Sequence, residues 1–411
     1  MFKFNLTKSY LLILVSIIPL SIILGSSISL LNIILILICF LYYQNRNFFS
    51  FFKNKSVKLL LLIYFYFLFN SFISIDFTSG FARNFGFIRF ILLFFAINYL
   101  FYENKNINFV YKVWLCICLA VLFDSYFEFF SGKNILGYND SSGARIVSFF
   151  KEEPVVAGYL NGFIFILFGY LFSNFDKKNF NKKAFVYLIL LSFFFCILIT
   201  GERSNTLKFI FGLFIFMTFN HFIKFKFKIF FLSLVILLLT LSYFNSDKIK
   251  LRYGGQLIHL IDDKEKRKIY FEENLYMSHY KSGIEVFKNY PIFGVGNKNY
   301  RIEACANNQD QKYLCNTHPH QIYLEFLSEH GLFGSILLLS TIFFLIFRNF
   351  NTMISSKNLI QIGSFSYLLM SFVPILPSGS FFGDFNATLF WLNFSIFYAS
   401  NSKTNIFKLG D

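Results

Sequence analysis

LLILVSIIPLSIILGSSISLLNIILILICFLYY, Leu11 to Tyr43, holds two apolar runs separated only by the small residues Gly25, Ser26 and Ser27. Each run approaches the length needed to cross a hydrocarbon layer of about 30 Å. The stretch therefore predicts a tight hairpin of two membrane spans, at about 10–24 and 28–43. Lys3, Lys8, the first run and the small residues after it also resemble a cleavable signal peptide. The second apolar run, following at once, favours the hairpin.

The same pattern repeats along the chain. Apolar runs at about 57–75, 86–102, 109–130, 155–173, 184–200, 205–220, 229–245, 320–347, 359–377 and 381–400 bring the expected total to twelve spans. Only 15% of the 411 residues are charged, against about a quarter in a soluble domain. The 65 phenylalanines accompany abundant Ile, Lys and Asn, as an AT-rich coding sequence would give, and most are expected to face lipid or neighbouring helices. A net charge of +16 could suggest nucleic acid, but the basic residues are dispersed over short connections. Lys and Arg concentrate in alternate connections, as in Lys177, Lys178, Lys182, Lys183, Lys224, Lys226 and Lys228. The short connections between hold few, among them Arg83, Lys133, Arg145 and Arg203. This bias predicts that both termini are cytoplasmic. The expected layout is an all-α integral membrane protein. Nine spans fill 1–245, one large periplasmic loop fills 246–319, three spans fill 320–400, and a cytoplasmic tail ends at 411. No repeat of 20 to 50 residues is visible.

Cys39, Cys116, Cys118 and Cys196 sit inside apolar runs, where cysteine behaves as a small hydrophobe. Cys305 and Cys315 lie in the external loop, where an oxidising compartment predicts a disulfide. In the same loop the run from Asp262 to Lys268 reads as a solvated helix face. Leu275 to Phe287 reads as an amphipathic helix closed by Asn289-Tyr290-Pro291. Gly294 and Gly296 are too sparse for a dinucleotide loop and predict a turn back to the membrane.

His318-Pro319-His320 precedes the tenth run. With Pro319 at a first helical position, His318 falls near the cap and His320 in the first turn. Positive potential there disfavours imidazolium and favours a bound anion, which suits proton transfer beside a phosphorylated donor. A histidine that merely caps a helix is the plainer alternative. A zinc site lacks a third ligand of usable spacing, so no metal and no cofactor are expected. Arg203, beside Glu202 and shortly before Lys208, turns the chain between two spans. Arginine forks match phosphate oxygens, although pairing with Glu202 or snorkelling to headgroups would also explain Arg203. Arg145 lies in the preceding external loop and Arg301 in the long one. Glu152 and Glu153 look like helix-start charges. Asp124 and Glu128 share one helical face, with Arg89 as a ready partner.

In order along the chain stand an Arg-containing loop before a Pro-started span (SSGARIVSFFKEEPVVAGYL, 141–160), TGERSN (200–205), PIFGVGNKNYR (291–301) and THPHQIYLEFLSEHGLFG (317–334). On about twelve spans this set resembles the O-antigen ligase family, over roughly 140–345. That family includes lipopolysaccharide O-antigen ligases, related polysaccharide polymerases and some protein O-oligosaccharyltransferases. The resemblance implies a GT-C-like membrane glycosyltransferase that works at the periplasmic face of the bacterial inner membrane without metal or nucleotide. Its donor would be a glycan on undecaprenyl diphosphate, and its acceptor lipid A–core or a growing glycan. The family's functional histidine falls on His320 and its phosphate-binding arginine on Arg203. Arg145 matches a further arginine, and Arg301 is a candidate helper. Gln321 stands where relatives more often carry Asn. From another class, a twelve-span secondary transporter is the rival, opposed by the single large loop and the lack of inverted repeats.

Overall fold

A computed structural model describes residues 6–44, 54–104, 106–141, 144–174, 180–254, 265, 274–307 and 309–408. Of the charged run at 262–268, only Glu265 is among them. Helix is the dominant regular structure, with no strand among the described residues. The helices are α1 (Leu6–Ser16), α2 (Ile18–Ile23), α3 (Ser26–Tyr43), α4 (Lys55–Phe72), α5 (Phe77–Gly86) and α6 (Ile88–Glu103). Next come α7 (Asn108–Ser131), α8 (Val156–Ser173), α9 (Phe180–Ile199), α10 (Arg203–Phe219) and α11 (Phe225–Asn245). The long loop contributes α12 (Leu275–Asn289) and α13 (Tyr300–Ala306). The chain closes with α14 (Ile322–Phe347), α15 (Phe350–Ser356), α16 (Leu359–Met370) and α17 (Asp384–Ala399). Each of the apolar runs read from the sequence is at least partly helical, the run at 359–377 only as far as Met370. Among the described residues seven helical stretches, against twelve expected spans, are long and apolar enough to cross a membrane. Helix answers the absence of water in a bilayer, because every interior N–H and C=O pairs within its own segment.

Helix α8 is buried along nearly its whole length and packs against the equally enclosed α16. A side chain at Gly169 would lie 2.3 Å from the Leu359 carbonyl oxygen, and one at Gly363 would lie 2.1 Å from that of Phe165. The two backbones therefore touch directly, as small residues allow where the hydrophobic effect cannot drive helices together. The core around them is aromatic, including Phe165, Phe168, Phe209 and Trp391.

The long loop is fastened to the helices by a break in α14. Gly331 has φ 62° and ψ −170°, a conformation essentially restricted to glycine. The interruption frees backbone groups on both sides, and Pro291 to Gly296 takes them up. Val295 N–H donates to Ser328 O at 2.9 Å and Gly296 N–H to Glu329 O at 2.9 Å. In return Leu332 N–H donates to Pro291 O at 2.8 Å and Phe333 N–H to Ile292 O at 3.0 Å. The PIFGVG and EHGLFG stretches, far apart in sequence, are thus two halves of one joint. Buried asparagines hold its other side: Asn297 N–H donates to Asn70 Oδ1 at 2.8 Å and Asn297 Nδ2 to Asn84 Oδ1 at 2.7 Å. The expected turn at Gly294 and Gly296 is present, with φ 71° and 97°.

Candidate functional site

A cavity of about 510 Å³ opens among the ends of α8, α10, α14, α16 and α17. Arg145, Arg203 and His320 all line it, so three residues singled out in the sequence meet at one place. The structure adds Arg252, Tyr276 and Lys208. The remaining wall is mixed, with Ile322, Met370, Leu376, Phe381, Phe385 and Phe390 forming an apolar part and Glu153, Asn161, Asn205 and Asn386 among its polar residues.

Three separate segments deliver the arginines. Arg203 is the first residue of α10, and its Nη1 donates to Arg252 O at 2.9 Å. Arg252 sits in a π-helical turn, Lys250–Gly254, after α11, and its Nη2 donates to Gly201 O at 3.0 Å. Arg145 reaches the same corner because Ile146 N–H donates to Thr200 O at 3.2 Å, laying its loop over Gly201. Burial, then the like charges of Arg203 and Arg145, depress the Arg252 guanidinium below its ordinary range. A corner holding three guanidinium groups suits an anion with several oxygens.

Carboxylates shape this corner. Glu202 accepts N–H groups of the first turn of α8, from Ala157 at 2.6 Å and Gly158 at 3.4 Å, and the Asn205 amide at 2.7 Å. Burial pushes it up to about 7, against the pull of these donors and of Arg145. Glu152 and Glu153 do not start α8: no acidic residue lies in its first turn, and Glu202 from another segment takes that place. Asp124 and Glu128 also differ from expectation. Glu128 accepts the N–H groups of Val147 at 3.0 Å and Ser148 at 2.6 Å, while Asp124 accepts Ile135 N–H at 2.9 Å and Ser148 Oγ at 2.6 Å. The pair folds the loop that carries Arg145. Arg89 pairs instead with Asp384, because the first turn of α17 is closer to it.

His320 requires a correction. Neither Pro319 nor His320 is within the helix: α14 begins at Ile322, and Gln321 is its cap, with Oε1 accepting Leu324 N–H at 2.8 Å. The amide side chain of Gln321, not a histidine, satisfies this orphan donor. His320 stands one residue before the cap with φ 52°. Its ring centroid lies 4.1 Å from that of His318 and 4.4 Å from that of His279, a buried residue of α12. Burial, assisted by His279, pulls His320 down to about 4, and burial above all pulls His318 to about 3. An imidazole in this setting is neutral at pH 7 and can accept a proton. Its neutrality comes from burial and neighbouring rings, not from a helix dipole. His279 was hidden in sequence inside an amphipathic helix, and only the contact of α12 with α14 exposes its role.

Arg301 also departs from expectation. It is exposed on α13 and does not line the cavity, because the joint at 291–296 directs α13 elsewhere. Cys305 and Cys315 are bonded, with Cα atoms 4.2 Å apart. Among the described residues no group of three or more His, Cys, Asp or Glu side chains is arranged to hold a metal ion.

A comparison with curated proteins finds no match. Residues 186–339, which include Arg203, Arg252 and His320 but not Arg145, match the family model described as O-Antigen ligase, the family that the sequence motifs resemble.

Proposed function

We propose that this membrane protein transfers a glycan from undecaprenyl diphosphate to an acceptor hydroxyl at the periplasmic face of the bacterial inner membrane, ligating O-antigen to lipid A–core. One observation carries the reading: a single cavity has Arg145, Arg203 and Arg252 in one corner and His320 on its wall. The acceptor oxygen bonds to the anomeric carbon as the bond from that carbon to the phosphate oxygen breaks. His320 takes the hydroxyl proton, a role worth roughly 10²–10⁴-fold. The diphosphate leaves with added negative charge, which the guanidinium groups stabilise where they already stand. The apolar part of the wall, from Ile322 to Phe390, offers a surface to the first isoprene units of such a donor. Support from the family match is coarser, since ligases and polymerases share the fold region that it covers.

Deletion of the gene followed by a lipopolysaccharide gel tests the proposal. Core without O-chain is the expected result. Core bearing a single repeat would assign polymerisation instead, and an unchanged ladder would refute transfer to lipopolysaccharide.

A further inference from the structure

His320 has a positive φ of 52°, which a residue with a side chain keeps only when its surroundings over-determine it. Its carbonyl accepts the N–H of Ser378 at 2.9 Å. Ser378 belongs to the connection between α16 and α17, which lines the cavity through Leu376, Pro377, Ser378 and Gly379. Just beyond, the same connection is tied to one carboxylate: Ser380 Oγ and Phe381 N–H (2.7 Å) both donate to Glu325. Glu325 is 1% exposed and lies in the first turn of α14, four residues after the cap Gln321. Acidic residues in a first turn usually serve their own helix dipole. Here the carboxylate oxygens meet donors of another segment instead. Tyr323, on the same turn, adds a bond from its hydroxyl to Phe372 O at 2.7 Å.

We propose that Glu325 is a positioning residue for His320: it fixes the 378–381 connection, and that connection holds the His320 backbone against the cavity. The inference rests on the reading of His320 as the proton acceptor. Charge-assisted bonds to a buried carboxylate are among the stronger ones, and both are lost together when it is removed. The backbone of His320 then lacks its constraint and can leave the positive-φ region, which moves the imidazole relative to the arginines. A displacement of about 1 Å at a reacting group is enough to cost roughly 100-fold in rate. The arginine corner shares none of these bonds, so its contacts to the diphosphate are untouched.

The test combines two measurements on the full-length protein. Hydrogen exchange in detergent reads the amides of Ser378 and Phe381. Complementation of the deletion strain reads the amount of surface glycan. Glu325→Ala is expected to speed exchange at both amides by about 10-fold or more and to reduce product by at least about 10-fold. Glu325→Gln, whose amide oxygen still accepts Phe381 N–H, is expected to recover most of both. Ser380→Ala should show a smaller loss of the same sign. In a His320→Ala background, Glu325→Ala should add no further loss, because the two act through one group. Normal product from Glu325→Ala beside a dead His320→Ala overturns the positioning role and leaves the proton acceptor standing. A loss that Glu325→Gln does not rescue, or that adds to a partial loss in His320→Ala, marks general damage and also overturns it. If His320→Ala itself keeps full product, the reading of His320 fails and the positioning role falls with it, whatever the amides show.

Discussion

Gly331→Ala is expected to undo the joint between the long loop and α14. A Cβ there would sit 2.3 Å from Ile292 O and 2.5 Å from Gly294 N, both backbone atoms that cannot turn aside. Four backbone hydrogen bonds cross the joint, two in each direction. At about 0.5–1.5 kcal/mol each, they contribute roughly 2–6 kcal/mol. The φ 62°, ψ −170° conformation would add roughly 1–3 kcal/mol of strain if alanine were forced into it. The expected loss of roughly 3–9 kcal/mol is a large share of a usual folding stability of about 5–15 kcal/mol. Gly132→Ala is the control. It too has a positive φ, 81°, but no atom within 4 Å of the added carbon, so only about 1–2 kcal/mol is at stake. Thermal unfolding in detergent, with hydrogen exchange at Val295, Gly296, Leu332 and Phe333, compares the two. Gly331→Ala that melts with the wild type and protects these amides would refute the account of the joint.

Four further outcomes are expected. His320→Ala should lose most glycan transfer while keeping expression, and His318→Ala should lose less. In the wild type, transfer should persist as pH falls to about 5 and decline near 4, where His320 becomes protonated; a decline already at 6 to 7 would contradict its burial. Arg203→Lys and Arg252→Lys should each weaken donor use markedly, because an ammonium cannot reproduce the bidentate fork, whereas Arg301→Ala should remain near normal; glycan yield in the deletion strain distinguishes them. Glu202 is raised from an ordinary 4.5 to about 7 in the fold, so the folded state holds its proton more readily than the unfolded one. Stability should therefore fall as pH rises from about 4.5 to 7 and level off above, and Glu202→Gln should flatten that slope in melting curves.

The helices were legible because apolar runs leave a membrane chain few other conformations. His320, Arg203 and Arg145, which the structure brings to one cavity, stood out because Arg203 and Arg145 lie in connections between apolar runs and His320 lies where the long loop meets the tenth run. Arg252 was not: its stretch, DKIKLRYGG, is polar and charged without a motif, and its place depends on a bond to Gly201 O across the fold. His279 and Glu325 were hidden for the same reason, since periodicity assigns a face but not the segment that covers it. The start of α14 was misjudged at Pro319 because proline is only permissive there, while Gln321 supplies a bond to Leu324 N–H. Arg301 was grouped with the other arginines because it lies in the long external loop, but α13 holds it away from the cavity.

The joint at Gly331 also bears on how chains of this kind can diverge or be recombined. Exchanging the long loop between two relatives looks like a natural way to change acceptor preference. Yet Pro291–Gly296 completes the hydrogen bonding of α14, and α14 completes that of the loop, so neither half is a free-standing module. A loop grafted onto a helix without the break at Gly331 would find no free backbone groups to receive Pro291–Gly296, so the loop and the interrupted helix work as one unit.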